Sequence, residues 1–400
     1  MEAIVPTGYK KTKVGIIPTD WNLYRIDEVL KRVRKPLEVK PDENYQEIGI
    51  RSHGKGLFYK KFTTIDEIGD KSVFWIEPDC FIVNIVFAWE QAIGKTTVNE
   101  IGMIASHRFP MYKPQKNVLD LDYLVYLFKS KRGKYLLELA SPGGAGRNKT
   151  LGQGEFAELK IPLPSYQEQQ KIAQILATWD EAIIKQEELI KEKEQSKKGL
   201  MQKLLSGEVR FDGFTDEWEE VRLGETCDCL DNMRKPLNDE ERQKLQGNIP
   251  YWGANNIMDY INNYIFDETI VLLAEDGGNF NEYNTRPIAN ISYGKCWVNN
   301  HTHVLRGKKN ILINEFLFYS LVHKNITGYV GGGTRSKLTK SEMLKIQILM
   351  PSLPEQQKIA EGLSLADAEI NLLKNELQEL KQQKKGLMQK LLTGEVRVKV

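Results

Sequence analysis

Two long stretches of the chain carry apolar residues in alternating steps of four and three, and neither contains a proline once it has begun. The first seam runs through Ile172, Leu176, Trp179, Ile183, Gln186, Ile190, Lys193, Lys197, Leu200 and Leu204. The second runs through Ile359, Leu363, Ala366, Ile370, Leu373, Leu377, Leu380, Lys384, Leu387 and Leu391. This spacing predicts two helices, each starting just after a pair of prolines, Pro162 and Pro164 or Pro351 and Pro354. One helix cannot bury a seam of that length in water, so each needs a partner, and the obvious partner is the other. A helix of about 37 residues is roughly 55 Å long and suits a spacer. The intervening chain must return to the far end, which favours antiparallel pairing. Gly199 and Gly386 interrupt the pattern at a cost of about 1 kcal/mol each, and predict a bend, a close contact or a helix end.

The two helices carry nearly the same text. KKGLMQKLLSGEVR at 197–210 recurs as KKGLMQKLLTGEVR at 384–397, and PSYQEQQKIA at 164–173 as PSLPEQQKIA at 351–360, always 187 residues apart. Upstream the likeness thins: IPTDW ending at Trp21 faces FTDEW ending at Trp218, and RKPL occurs at 34–37 and 234–237. The chain is therefore a variable block followed by a constant tail, repeated once. We expect blocks at 1–166 and 212–351, and spacer helices at 167–211 and 352–400.

Within the blocks, β-branched and apolar runs at 76–86, 269–274 and 288–292 are bounded by Gly, Asn, Pro and Asp and predict short strands. Helical spacing appears at 123–140 and 314–324, in equivalent places of the two blocks. The fold class expected is α+β: two α/β domains with mostly β cores, separated by two long helices in an antiparallel coiled coil, the whole a pseudo-twofold internal repeat.

Charge narrows the function classes. With 56 basic and 54 acidic residues the chain is nearly balanced, so a nucleic-acid surface must be local. The first block holds 25 basic against 20 acidic residues (+5), and the second 15 against 19 (−4). Four cysteines make no disulfide framework, and no apolar run is long enough to cross a bilayer, so a cytoplasmic setting without a membrane is expected.

Enzyme signatures are wanting. AIGKTT at 92–97 ends like a phosphate-binding loop, but Trp89 stands where its first glycine belongs, and a strand end with a turn explains the run. Cys227, Cys229, His301 and His303 have spacings too short and too scattered for a metal centre. No GxSxG occurs. Two glycine-rich basic loops are better candidates, SPGGAGRNKTL at 141–151 and VGGGTRSKLT at 330–339, each placed between the block's helix and the proline turn. Arg147, Asn148 and Lys149, with Arg335, Ser336 and Lys337, offer donors suited to phosphate oxygens. Arg34, Lys35, Arg234 and Lys235 of the RKPL pair are weaker candidates of the same kind. A scaffold whose blocks bind protein is the competing reading, favoured by the acidic second block.

The Pro–EQ–Ile helix start, the GLMQKLL(S/T)GEVR end and the duplication together resemble the specificity subunit of type I restriction-modification systems. GNIPYWGANN at 247–256 and GKCWVNNHTHVL at 294–305 are similar to one recurring class of target recognition domain. The resemblance implies a subunit without catalysis or cofactor of its own, whose two variable domains each read one half of a bipartite, asymmetric site on double-stranded DNA. It implies that the paired helices act as spacer and as dock for two methyltransferase subunits carrying S-adenosylmethionine. A separate motor-nuclease subunit would carry ATP and Mg²⁺.

Overall fold

The computed structural model describes residues 5–143, 149–332 and 336–400. The chain forms two compact units, Met1–Gln186 with Glu376–Val400, and Glu187–Asn375. Each unit therefore consists of one variable block and part of both long helices.

The blocks share a strand topology that the sequence does not announce. In the first, β1 (Leu30–Val33), β2 (Tyr45–Ile50), β3 (Leu57–Thr63), β4 (Val73–Trp75), β5 (Phe81–Val83), β6 (Ile93–Lys95), β7 (Ile104–Ser106) and β8 (Met111–Pro114) build two four-stranded sheets. Their orders are β1-β8-β5-β6 and β3-β2-β7-β4. In the second, β9 (Cys227–Cys229), β10 (Gln246–Trp252), β11 (Ile257–Ile261), β12 (Phe266–Asp267), β13 (Ile270–Ala274), β14 (Ala289–Ser292), β15 (Lys295–Val298) and β16 (Thr302–Gly307) give β9-β16-β13-β14 and β11-β10-β15-β12. The orders are the same strand for strand, down to one parallel pair in each second sheet, β2 with β7 and β10 with β15. The expected strands at 76–86, 269–274 and 288–292 are β5, β13 and β14, and β5 and β13 are buried throughout.

Helices close the first sheet of each block. In the first block α1 (Leu121–Lys129) and α2 (Lys131–Leu139) replace the single helix expected at 123–140. The break is Ser130, whose extended backbone ends α1 while its Oγ accepts from Gly133 N–H at 3.1 Å and caps α2. Gly133 is required there, since a Cβ would lie 2.1 Å from Leu127 O. Nothing in the apolar periodicity marks such a corner. After the long α3 (Tyr166–Leu205), the second block supplies α4 (Asn314–Val322), and the long α5 (Leu353–Thr393) follows.

Both long helices continue through Gly199 and Gly386, so no helix end falls there, and a Cβ at either would meet nothing within 4 Å, so neither marks a close contact. They end instead around Gly207 and Gly394, whose φ of +74° and +75° is the left-handed conformation that glycine adopts without penalty.

Within each unit the α3 and α5 segments run antiparallel. In the first unit Gln186 Nε2 donates to Glu376 at 3.2 Å and Lys384 pairs with Asp180, while in the second Lys193 meets Glu369 at 2.6 Å and Lys197 meets Asp367. Ile172, Leu176, Ile190, Leu204, Ile359, Leu363, Ile370 and Leu391 are buried, and Trp179, Ile183, Leu373, Leu377, Leu380 and Leu387 are half-buried. Leu200 departs from expectation at 40 % exposed, and Met201 takes its place in the core at 6 %. Two successive steps of four, Lys193 to Lys197 to Met201, keep the face aligned because a helix turns every 3.6 residues rather than every 3.5.

Candidate nucleic-acid interface

The repeated residues form the joints of each unit. Glu168 and Glu355 lie in the first turn of their helices, with side chains only 4 % and 1 % exposed. A buried carboxylate needs charged donors. Glu355 receives Arg210 Nε at 2.8 Å, Arg210 Nη2 at 2.7 Å and Trp218 Nε1 at 3.1 Å, and Glu168 receives Arg397 at 2.8 and 2.9 Å. The arginine closing one copy of GEVR thus binds the glutamate opening the other copy of EQQK. Gln169 and Gln356, the next residues, accept from Asp120 N–H and Ile313 N–H at 2.9 and 3.0 Å and so fix the entry to α1 and α4.

A second joint ties each block helix to both long helices. Tyr126 Oη donates to Asp180 Oδ2 at 2.7 Å, the other Asp180 oxygen takes Lys384, and Lys384 Nζ lies 5.5 Å from the Tyr126 ring centroid. In the second unit Tyr319 Oη donates to Asp367 Oδ2 at 2.8 Å, Lys197 takes the other oxygen, and its Nζ lies 5.5 Å from the Tyr319 ring. Burial first, and the carboxylate second for Tyr126, push both phenols well above their ordinary pKa, so they remain donors. Neither triad is visible as a motif, because its three residues come from separate segments, and Tyr126 and Tyr319 are 193 residues apart where their helix partners are 187 apart.

On this frame the candidate contact residues fall differently in the two blocks. Arg147, Asn148 and Arg335 lie outside the described residues. Lys149 Nζ stands 5.6 Å over the Trp89 ring. Arg34 is exposed beside the Phe74 ring, and Lys35 pairs with Glu77. Lys235 is exposed, and Ser336 is half-buried. Arg234 and Lys337 come together on one carboxylate, Glu275, at 2.6 and 3.2 Å. Arg234 is only 14 % exposed and also donates to Thr302 O at 2.8 Å and Asp231 O at 3.0 Å. Its guanidinium is committed inside the domain, so it acts as a strut, where the sequence suggested a phosphate contact.

The glycine-rich loops do return at equivalent points. Leu151 N–H donates to Ile85 O at 2.8 Å just beyond β5, and Leu338 N–H to Glu275 O at 2.7 Å just beyond β13. Leu151 and Leu338 are 187 residues apart, so both loops belong to the repeat and are held at the exit of the same strand.

The rejected motifs have ordinary explanations. Ile93–Lys95 is strand β6, and Lys95 pairs with Asp122. Burial pushes the Cys227 thiol up to about 12, a poor state for a metal ligand. Asp231, Glu275 and His303 cluster closely enough to suit a cation, but Arg234 and Lys337 already supply the positive charge there. No described helix is long and apolar enough to cross a membrane.

Comparison with known proteins agrees with this frame. The model of the type I restriction modification DNA specificity domain matches twice, over residues 18–193 and 215–382. A protein of Methanocaldococcus jannaschii named as the MjaX type I restriction enzyme specificity subunit is 26% identical, over 98% of this chain and 97% of its own. The type I restriction enzyme MjaVIII specificity subunit of the same organism is 25% identical over 96% and 94%. Among solved structures, the HsdS subunit from Thermoanaerobacter tengcongensis aligns over 95% of this chain and 98% of its own with a TM-score of 0.53 at 19% identity. The S subunit from M. genitalium gives 0.57 at 18%, over 93% and 96%. With both blocks and most of both helices covered by the family model, the chain belongs to the DNA specificity subunits of type I restriction-modification systems.

Proposed function

We propose that each variable block reads one half of a bipartite, asymmetric DNA site, with 1–166 and 212–351 as target recognition domains and the helices at 167–211 and 352–400 as spacer. The observation that carries this reading is the repetition itself: one strand topology and one set of joints occur twice, around loops that differ. Two similar readers present two half-sites, as paired subunits of dimeric DNA-binding proteins do. Because the loops differ, the halves differ. The glycine-rich loops are the reading elements favoured here, with Lys149 and Lys337 at their described ends, and Lys35 and Lys235 are weaker candidates.

The chain works within a complex with the other restriction-modification subunits. In our reading two methyltransferase subunits dock on the long helices, one to each unit, and bring S-adenosylmethionine. A motor-nuclease subunit brings ATP and Mg²⁺, and the assembly acts in the cytoplasm. Support for docking comes from apolar side chains that the helices leave uncovered, Ile184 and Leu372 at 53 and 59 % exposed and Leu365 at 72 %.

The test is exchange of residues 212–351 for the corresponding block of another specificity subunit, followed by mapping of methylated adenines in host DNA. One half-site is expected to change while the other half persists. Loss of both halves, or retention of both, would refute a one-block, one-half reading.

A further inference from the structure

Two turns of the first block meet at a cleft. The turn at 106–109 is closed by Phe109 N–H on Ser106 O at 2.9 Å, and Ser106 Oγ accepts from Arg108 N–H at 3.3 Å. The turn at 84–87 is closed by Phe87 N–H on Asn84 O at 3.2 Å, with Asn84 Oδ1 accepting from Val86 N–H at 3.0 Å. One backbone bond ties the two turns, Ile85 N–H to Arg108 O at 3.0 Å. Another, His107 N–H to Ser72 O at 3.0 Å, fixes the first turn to the residue before β4. The cleft holds about 290 Å³, and Glu47, Lys60, Lys71, Phe87, His107 and Arg108 stand in its wall. Lys60 is paired with Glu47 at 2.7 Å. Lys71 and Arg108 are exposed, and neither is ion-paired among the described residues.

The second block builds the same tie and cancels the charge. Glu275 N–H donates to His301 O at 2.9 Å, as Ile85 N–H does to Arg108 O, so His301 stands where the first block has Arg108, and Asp276 where it has Val86. His301 Nδ1 lies 2.7 Å from Asp276 Oδ1. With valine in place of that carboxylate, the arginine of the first block keeps its charge for a ligand.

We propose that this cleft grips the phosphate backbone of DNA, Lys71 and Arg108 each neutralising one phosphate, and that it gives the first block a charge-driven hold that the matching turn of the second block lacks. Phosphate contacts fix the register of a protein on the duplex without reading its sequence, and cations carried on turns locked by backbone bonds have the fixed spacing this requires. The site agrees with the +5 of the first block against the −4 of the second. Phe87, 40 % exposed, adds an apolar wall that suits a sugar. The proposal rests on the reading of the blocks as DNA readers.

The test uses the full chain assembled with its methyltransferase partners and measures duplex binding from roughly 50 to 200 mM salt. Lys71→Ala combined with Arg108→Ala is expected to flatten the slope of log K against log salt by about 1.8, at about 0.9 per phosphate, with half of that from each single variant. Duplexes that are intact, or altered in either half-site, should weaken by the same factor. Lys71→Arg with Arg108→Lys should keep the wild-type slope, and so should His301→Gln at the matching turn. An unchanged slope in the alanine variants overturns the proposal, as does a flattening shared by the charge-keeping variant or by His301→Gln. Loss confined to duplexes intact in one half overturns it in favour of base reading. A wild-type complex that shows neither salt dependence nor sequence preference overturns the DNA reading itself and this inference with it.

Discussion

Each unit is held together internally by the same joints, but the two receive their returning loops on different side chains. Arg397 on Glu168 answers Arg210 on Glu355, and Tyr126–Asp180–Lys384 answers Tyr319–Asp367–Lys197. Where the loops return the likeness stops, with Ile85 in one block and the Arg234–Glu275–Lys337 bridge in the other. Joints that face a common frame are bound to one solution. The residue that receives each loop's return is not so bound: it is an isoleucine in one block and a glutamate in the other.

The largest effect expected from breaking a joint is at Glu355. Glu355→Leu leaves the Arg210 guanidinium and the Trp218 indole N–H without their shared acceptor and is expected to cost about 3 kcal/mol. Glu168→Leu should cost less, because Arg397 keeps Asp20 at 2.7 and 2.9 Å and the Trp21 indole has no bond to lose. Urea unfolding of the two variants measures the difference, and equal losses would mean that neither the Asp20 pairing nor the indole bond distinguishes the two joints.

Smaller and more symmetric effects are expected at the tyrosines. Tyr126→Phe and Tyr319→Phe each remove one hydrogen bond to a carboxylate while keeping the ring under its lysine, at about 1.5 kcal/mol each. The Tyr319 Oη also lies 3.3 Å from Ser364 Oγ, so any asymmetry should favour a slightly larger loss there. Thermal unfolding of the single and double variants tests the pair. Simple addition is expected, since the two triads share no residue.

Much of the frame was legible because it obeys rules of spacing. The 3–4 periodicity, the proline starts and the duplicated text identified both helices and their antiparallel pairing. The strands β5, β13 and β14 stood out as apolar runs between turn residues. Ser130 hid because a helix corner made by one hydroxyl and one glycine leaves the apolar pattern intact on both sides. Arg234 misled because exposure cannot be read from a basic turn: its charge is satisfied by Glu275, 41 residues away in sequence. The tyrosine triads were illegible for the same reason, as their partners come from three separate segments. Leu200 failed by one residue, the drift that accumulates when a 3.5-residue rule is carried along a 3.6-residue helix.

The smallest expected effect asks whether the frame is as symmetric as its text. Gly199 and Gly386 sit inside continuous helix, and a Cβ added at either would meet nothing within 4 Å. Alanine there should raise stability by ~0.5–1 kcal/mol per site, the ordinary helix preference over glycine. Gly207 and Gly394 make the control, since their positive φ penalises any side chain. Gly394→Ala should be the worse of these two, with its Cβ 2.4 Å from Pro18 Cγ, whereas at Gly207 the nearest atoms are those of Trp218 at 3.8 Å. Thermal midpoints of the four alanine variants should therefore rise equally for the first pair and fall unequally for the second. A fall at Gly199 or Gly386 would show that the helices are strained where they now look regular, and would break the equivalence of the two copies at the centre of the repeat.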